Sequence, residues 1–152
     1  MITGLYEAHL PVSNLLKSIE FYQKLGLEKA FQNENLAFFW IEKGRSWLGL
    51  WETDKVETPY HPSLRHVAFH VEVEEIEKAK AWLEDKGIPI KKAFGFSAEN
   101  QPLVLPNHPH SHAAIYFHDP DGNSLELITP LKLDCEERFQ MMSLREWHNK
   151  NK

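Results

Sequence analysis

Glu7-Ala8-His9-Leu10, Ser18-Ile19-Glu20-Phe21-Tyr22 and Lys29-Ala30-Phe31 recur in the same order as His66-Val67-Ala68-Phe69, Lys80-Ala81-Trp82-Leu83 and Lys92-Ala93-Phe94. Each set reads as a short strand, an amphipathic helix and a second strand, and each helix stops at a glycine, Gly26 or Gly87. The two halves also end alike, Ser46-Trp47-Leu48-Gly49-Leu50 answering Ser124-Leu125-Glu126-Leu127 with a one-residue slip. Overlaying them puts Glu7 on His66 and Gly49 on Glu126. A duplicated half-domain folded about a pseudo-twofold brings the first and last strands of each copy towards one cleft. Three of the four matched positions therefore hold a residue able to bind a divalent cation.

Working outward from the repeat, the pattern is mixed α and β. Leu5–Val12 alternates as a strand, and Ser13 or Asn14 is a helix N-cap. Leu15, Leu16, Ile19, Phe21, Tyr22 and Leu25 follow as one apolar stripe. Leu27–Phe31, Leu36–Ile41 and Trp47–Trp51 read as three strands, with Lys43-Gly44-Arg45 as a turn. The polar stretch Glu52–Ser63, with Pro59 and Pro62, reads as a linker. Beyond it come a strand at Leu64–Val71, a helix at Glu74–Lys86 and a strand at Ile88–Ala93. A long loop runs from Gly95 to Pro109 around a short strand at Leu103–Leu105. Ala113–His118 and Ser124–Ile128 form a hairpin whose turn, Asp119-Pro120-Asp121-Gly122, carries Pro and Gly where a type I turn favours them. The expectation is an α+β fold of two tandem βαβββ modules, about 1–55 and 64–130, forming a cleft-shaped mixed sheet in a single domain of 1–152. The tail, 131–152, is expected to be partly helical.

Composition narrows the function classes. At 152 residues, 42% hydrophobic and 26% charged, the chain has ordinary globular composition and can bury a good core. A net charge of −5 gives no electrostatic reason to expect a nucleic-acid partner. The opening Met1-Ile2-Thr3-Gly4-Leu5 lacks a basic flank and an apolar run of leader length, and no stretch approaches the roughly 20 apolar residues of a membrane span. The lone Cys135 has no internal disulfide partner, so a cytoplasmic setting is expected.

The repeated unit carries a resemblance. Ser18-Ile19-Glu20-Phe21-Tyr22 with Leu25-Gly26-Leu27, then Arg65-His66-Val67-Ala68-Phe69, then Tyr116-Phe117-His118-Asp119-Pro120-Asp121-Gly122-Asn123-Ser124-Leu125-Glu126-Leu127, resemble the vicinal oxygen chelate superfamily. That superfamily includes glyoxalase I, bleomycin-resistance proteins, fosfomycin-resistance transferases and extradiol dioxygenases. The matching stretches span residues 5–130, and the turn followed at a fixed distance by an inward Glu is the most specific of them. Members share a scaffold and a metal position while running different reactions on it.

What the resemblance implies for the site follows residue by residue. The ligand positions are Glu7, Gly49, His66 and Glu126; Glu7 departs from the usual His or Gln, and Gly49 has no side chain to ligate. Glu7, His66 and Glu126 remain as a facial set for one divalent ion, Mn²⁺, Fe²⁺, Zn²⁺, Ni²⁺ or Co²⁺, with about three positions left for water or substrate. The ion acts as a Lewis acid on vicinal substrate oxygens, and Glu7 or Glu126 doubles as a proton shuttle. The set lacks the fourth ligand of glyoxalase I and matches the ligand count of the fosfomycin transferases and the dioxygenases better. His9 shares the strand face of Glu7, and a bulge or a shifted ion would make it the ligand or a hydrogen-bond partner of one. For Glu126 the alternative is a surface Glu on an edge strand.

His9, Trp51, His70 and Tyr116 are the candidate substrate contacts. His70 lies on the strand face of His66, and Tyr116 matches a substrate-contacting position of the fosfomycin transferases. Phe38, Phe39, Trp40, Trp47 and Trp51 sit in adjacent strands, and they either pack in the core or, where they alternate outward, wall an aromatic pocket or dimer surface. His108, His110 and His112 form either a solvated loop or a small metal- or substrate-binding tract. Leu133 and Cys135 stand where those transferases carry basic residues for a phosphonate, which disfavours fosfomycin modification. Three classes stay open: a metal-dependent lyase, isomerase or dioxygenase on a small molecule; a metal-free binder of a hydrophobic drug; and a pseudo-enzyme acting as a structural dimer. The resemblance also implies a homodimer, since in many relatives the metal site takes strands from both subunits.

Overall fold

The computed structural model describes residues 4–57, 61, 64–106, 111–131 and 139–151. Two compact units emerge, one from Met1–His66 together with Asp119–Asn123, the other from Val67–His118 and Ser124–Lys152.

In the first unit the chain runs β1 (Glu7–Val12), α1 (Leu15–Lys24), β2 (Lys29–Gln32), β3 (Leu36–Glu42) and β4 (Ser46–Glu52). Asn14 caps α1 by accepting from the Lys17 amide at 2.9 Å. Gly26 ends the helix with φ of 97°, a left-handed conformation that glycine adopts without a Cβ penalty. The sheet order is β1-β4-β3-β2, with β1 parallel to β4 and the other pairs antiparallel. Alternation then sorts the side chains. Leu10, Val12, Ala37, Phe39, Leu48 and Leu50 are buried, and α1 packs over β3 and β4 with Leu15, Ile19 and Tyr22. Leu16, counted in the apolar stripe, is instead exposed, because it falls off the Leu15–Ile19–Tyr22 face.

The turn 119–123 is held by this unit's polar groups. Asp119 is buried; its Oδ1 accepts from the Asp121 and Asn123 amides, and its Oδ2 accepts from the Tyr22 hydroxyl at 3.0 Å and from Asn123 Nδ2. Burial raises the Asp119 carboxyl above its usual range, while these hydrogen bonds oppose the shift. Ser13 donates to Asp121, and Arg65 donates to Asn123 Oδ1 and to the Asp121 carbonyl. Gly122, at φ of 76°, closes the turn through its amide to the Asp119 carbonyl at 3.0 Å.

The second module repeats the order: β5 (His66–His70), α2 (Val73–Ile76), α3 (Ala79–Asp85), β6 (Leu103–Leu105), β7 (His112–His118) and β8 (Ser124–Pro130). Its sheet, β5-β8-β7-β6-β9, reproduces the β1-β4-β3-β2 order of the first and adds β9 (Met142–Ser143) at the edge. The α+β fold of tandem βαβββ modules is borne out.

Two expectations are corrected. The helix expected over Glu74–Lys86 is two short helices, because at Lys78 the ladder tightens to a three-residue bond, Lys78 N–H to the Glu75 carbonyl at 3.0 Å. Ile88–Ala93 makes only isolated bridges, Ile90 with Phe117 and Ala93 with Phe96. Pro89 removes a donor there, and Phe94 and Gly95, at φ of 49° and 86°, turn the chain back on itself. The sheet strand of that stretch is therefore β6, the short strand expected at Leu103–Leu105. The tail does form a helix, α4 (Leu144–Lys150), begun by a capping box in which Ser143 and Glu146 bond each other's backbone amides. Among the described residues no helix is long and apolar enough to cross a membrane.

Candidate functional site

Each unit gathers part of the sequence-predicted site. On β1, Glu7 and His9 project from the face opposite Leu10 and Val12, and both are partly exposed. His9 Nε2 stands 3.4 Å from Glu7 Oε2. On the far side of the ring, Trp51 Nε1–H donates to His9 Nδ1 at 2.7 Å. The register pairs His9 with Gly49 across the parallel β1–β4 ladder. A Cβ on residue 49 would overlap His9 Nδ1 and Cε1, so the imidazole fills the place a side chain at 49 would take. Glycine at a position matched to a ligand reads in sequence as a loss; in the fold it makes room for His9.

The same face of this sheet is aromatic. Trp47 stacks on Phe38 at 5.7 Å and meets Tyr6 and Trp40 edge-on, while Phe38 reaches Phe31 at 5.8 Å. Phe38, Trp40 and Trp47 are half-buried and Trp51 is 46% exposed, whereas Phe39 points the other way into the core. Trp47 Nε1 is buried and finds no hydrogen-bond partner among the described residues. The pocket-wall alternative for these residues thus has a surface to stand on, with Phe39 as the exception.

In the second unit, Glu126 lies on β8, between β5 and β7, and is only 6% exposed. The surface-Glu alternative is overturned: a central strand buried on both sides leaves no solvated face. Tyr116 is its register partner on β7. Burial, then the Glu126 charge and hydrogen bonding with it, push the Tyr116 phenol well above its ordinary range. Phe94 packs edge-on against the Tyr116 ring at 5.6 Å.

Sequence reading missed Lys91. Its ammonium donates to Ser124 Oγ at 2.7 Å, lies 3.1 Å from His118 Nε2, and feels the negative charge of Glu126. Partial burial lowers the Lys91 pKa, and the Glu126 charge offsets part of that shift. Gln101 fixes the local backbone by donating to the Lys91 carbonyl and accepting from the Tyr116 amide. The Lys91-Lys92 pair was the available signal, because alternation sends one of two adjacent lysines to each face.

His66 and His70 share the exposed side of β5 with Ala68, as the alternation predicted. Among the described residues no three His, Cys, Asp or Glu side chains gather within reach of one ion. The donors fall instead into a Glu7–His9 pair and a Glu126–Tyr116 pair. Of the histidine tract, His108 and His110 lie outside the described residues, as do Leu133 and Cys135, and His112 opens β7.

A family model for the glyoxalase/bleomycin resistance protein/dioxygenase superfamily matches residues 4–127. The chain is similar to the metallothiol transferase FosB of Staphylococcus epidermidis, 32% identical over 133 residues that cover 85% of each protein. It is also similar to FosB of Staphylococcus saprophyticus, 28% identical over all of this chain and 96% of the relative. Among solved structures, an integron cassette protein from the Halifax Harbour sewage outfall superposes with a TM-score of 0.65 at 29% identity, covering 84% of this chain and 99% of the other. The fosfomycin resistance protein FosX of Listeria monocytogenes gives 0.61 at 25% identity, covering 86% and 96%. Repeated βαβββ architecture, matched strand order and the family match agree: the chain belongs to the glyoxalase/bleomycin resistance protein/dioxygenase superfamily.

Proposed function

We propose that this protein is a divalent-metal-dependent enzyme acting on a small molecule with vicinal oxygens, and that its reaction is transfer of a thiol to that substrate. The observation that carries the reading is Glu126: a carboxylate 6% exposed on a central strand, at the position matched to the family's metal ligand and paired in register with Tyr116. Burying a carboxylate is costly unless something compensates its charge, and a cation is the strongest compensation available. Thiol transfer is favoured over lyase or dioxygenase chemistry by the relatives named metallothiol transferase.

Glu126, His66 and Glu7 would hold the ion, two carboxylates and an imidazole being a donor set suited to Mn²⁺, Fe²⁺, Zn²⁺, Ni²⁺ or Co²⁺. When bound, it supplies Lewis-acid polarisation of the substrate's paired oxygens. Tyr116 keeps its proton beside Glu126 and shares its face of the sheet. Lys91 places a cation on the same face and supports an anionic substrate group. The ring surface of Trp47, Phe38 and Trp51 receives the apolar part of the substrate, with His70 as a further contact. We place the complete donor set in a homodimer, the Glu7 strand of one copy meeting the His66 and Glu126 strands of the other; the two separate donor pairs support this.

Metal content, measured by plasma mass spectrometry on protein purified without chelator or histidine tag, tests the reading. Close to one equivalent per chain is expected, lost in His66→Ala, with affinity in Glu126→Gln lowered at least about tenfold. Undiminished affinity in Glu126→Gln removes Glu126 from the site. The open aromatic face and the Trp47 indole, without a hydrogen-bond partner among the described residues, favour one second reading, a metal-free binder of a hydrophobic small molecule. No uptake of Mn²⁺, Ni²⁺, Zn²⁺ or Fe²⁺ by either protein, with saturable quenching of tryptophan fluorescence by apolar ligands, would select it.

A further inference from the structure

We infer that the groove between α4 and the helical turn Ala98–Asn100 is a binding site for a small zwitterion, an amino acid or short peptide carrying both an ammonium and a carboxylate, and that Gln101 relays its occupancy to Lys91 and Tyr116. All of these residues belong to the second unit, and none of the contacts calls for a metal ion.

The groove holds about 540 Å³, within the range of small-molecule sites. Pro102 and Leu144 give it an apolar lining, and charged side chains stand around them. His148 Nε2 lies 3.0 Å from Glu77 Oε1, so those two answer each other. Arg145 and Glu99 do not: among the described residues neither takes part in a hydrogen bond or an ion pair. Elsewhere on this surface neighbouring opposite charges close up, Lys78 on Glu75 at 2.7 Å, Lys43 on Glu28 at 2.9 Å and Arg45 on Glu42 at 3.1 Å. A guanidinium and a carboxylate that line one groove without meeting suit a ligand whose own charges are of opposite order. The planar fork of Arg145 matches a carboxylate, and Glu99 matches an ammonium. Backbone amides at the start of α4 are already spent. Ser143 and Glu146 form the capping box, and the Leu144 amide donates to the Pro102 carbonyl at 2.8 Å. Side chains therefore choose the ligand.

Gln101 joins this groove to the sheet. It is 4% exposed, its Nε2 donates to the Lys91 carbonyl at 2.6 Å, and its Oε1 accepts from the Tyr116 amide at 3.0 Å. A ligand resting against Gln101 thus leans on two hydrogen bonds that end on β7 and on the Lys91 backbone. Coupling of this kind is reciprocal, so a ligand near Tyr116 is felt in the groove as well.

Titration of the whole protein with alanyl-leucine, followed in ¹H–¹⁵N spectra, tests both parts. Saturable shifts are expected in the Gln101 side-chain amide and in the Lys91 and Tyr116 backbone amides. The N-acetylated peptide and its C-terminal amide, each lacking one charge, should produce none. Arg145→Gln and Glu99→Gln, both at exposed positions, should each weaken binding at least about tenfold, the scale of one hydrogen bond to a charged group, with the remaining spectrum unchanged. Free leucine separates the two sources: binding as tight as the dipeptide's assigns an amino acid, and weaker binding assigns a peptide. Equal binding of the blocked peptides, undiminished binding in both variants, or no saturable shift with leucine or dipeptide overturns the site. Saturation at Gln101 that leaves the Lys91 and Tyr116 amides unmoved overturns the relay.

Discussion

Tyr116 and Glu126 face each other as register partners across the β7–β8 ladder, and the Glu126 charge helps hold the Tyr116 phenol protonated. Both side chains are 6% exposed, so neither can exchange its partner for water. The protonation of one is therefore tied to the charge of the other.

A titration follows from this pairing. The folded Tyr116 phenol is held above its ordinary value of 10.0, so between 10.0 and the folded value the native state binds more protons than the unfolded chain. Its stabilising contribution is complete below pH 10 and is lost as pH rises through the folded value. Absorbance of tyrosinate at 295 nm, compared between the natural protein and Tyr116→Phe, should show that the missing step is one that rises only with alkaline unfolding. A missing step near pH 10 in folded protein would mean that the hydroxyl is free of Glu126.

Asp119 should matter for stability rather than chemistry. Its two oxygens serve the Asp121 and Asn123 amides, the Asn123 side chain and the Tyr22 hydroxyl. Asp119→Ala strands several buried donors and is expected to cost about 2–3 kcal/mol in urea unfolding, a typical penalty for unsatisfied buried groups. A loss under about 0.5 kcal/mol would show that the turn re-forms its bonds elsewhere.

The capping box makes α4 sensitive to acid. Bonds from Ser143 hold the Glu146 carboxyl below its ordinary value of 4.5, so its contribution is present above that value and fades as pH falls through the folded one. Ser143→Ala should remove about 1 kcal/mol of helix stability. Protection factors for amide exchange within Leu144–Lys150 should fall in Ser143→Ala at neutral pH, and in the natural protein only on acidification. Equal protection in both proteins at neutral pH would mean that packing, and not the cap, begins this helix.

Dimerisation is open to a direct check. Sedimentation equilibrium at micromolar concentration should return twice the chain mass of 17.8 kDa. A single species at the mass of one chain would leave the Glu7 and Glu126 donors without the partner copy that the proposed site needs.

Much of this was legible beforehand because duplication leaves two readings of one pattern. Strand–helix–strand order, the Gly26 stop and the Asp119–Gly122 turn were all readable from local chemistry, and the alternation of His66, Ala68 and His70 followed from period two. Other features were set by distant contacts. Ile88–Ala93 has strand composition, but Pro89 and the Phe94–Gly95 reversal leave it only bridges, and β6 takes its place in the sheet. Gly49 was read as an absent ligand, since nothing local says that His9 on another strand would lie above it. Lys91 went unread, because its approach to Ser124 and Glu126 joins residues more than thirty positions apart.

The turn at 119–123 has a consequence for biosynthesis. Its residues come late in the chain yet complete the polar interior of the first unit, around Tyr22, Ser13 and Arg65. A ribosome that has released only the first half has delivered β1–β4 and α1 without the acid that Tyr22 bonds. The nascent amino-terminal half must therefore wait, with a buried hydroxyl unserved, until the Asp119 codon has been read and its residue has left the exit tunnel. Rare codons or pauses between positions 66 and 119 would lengthen that exposure.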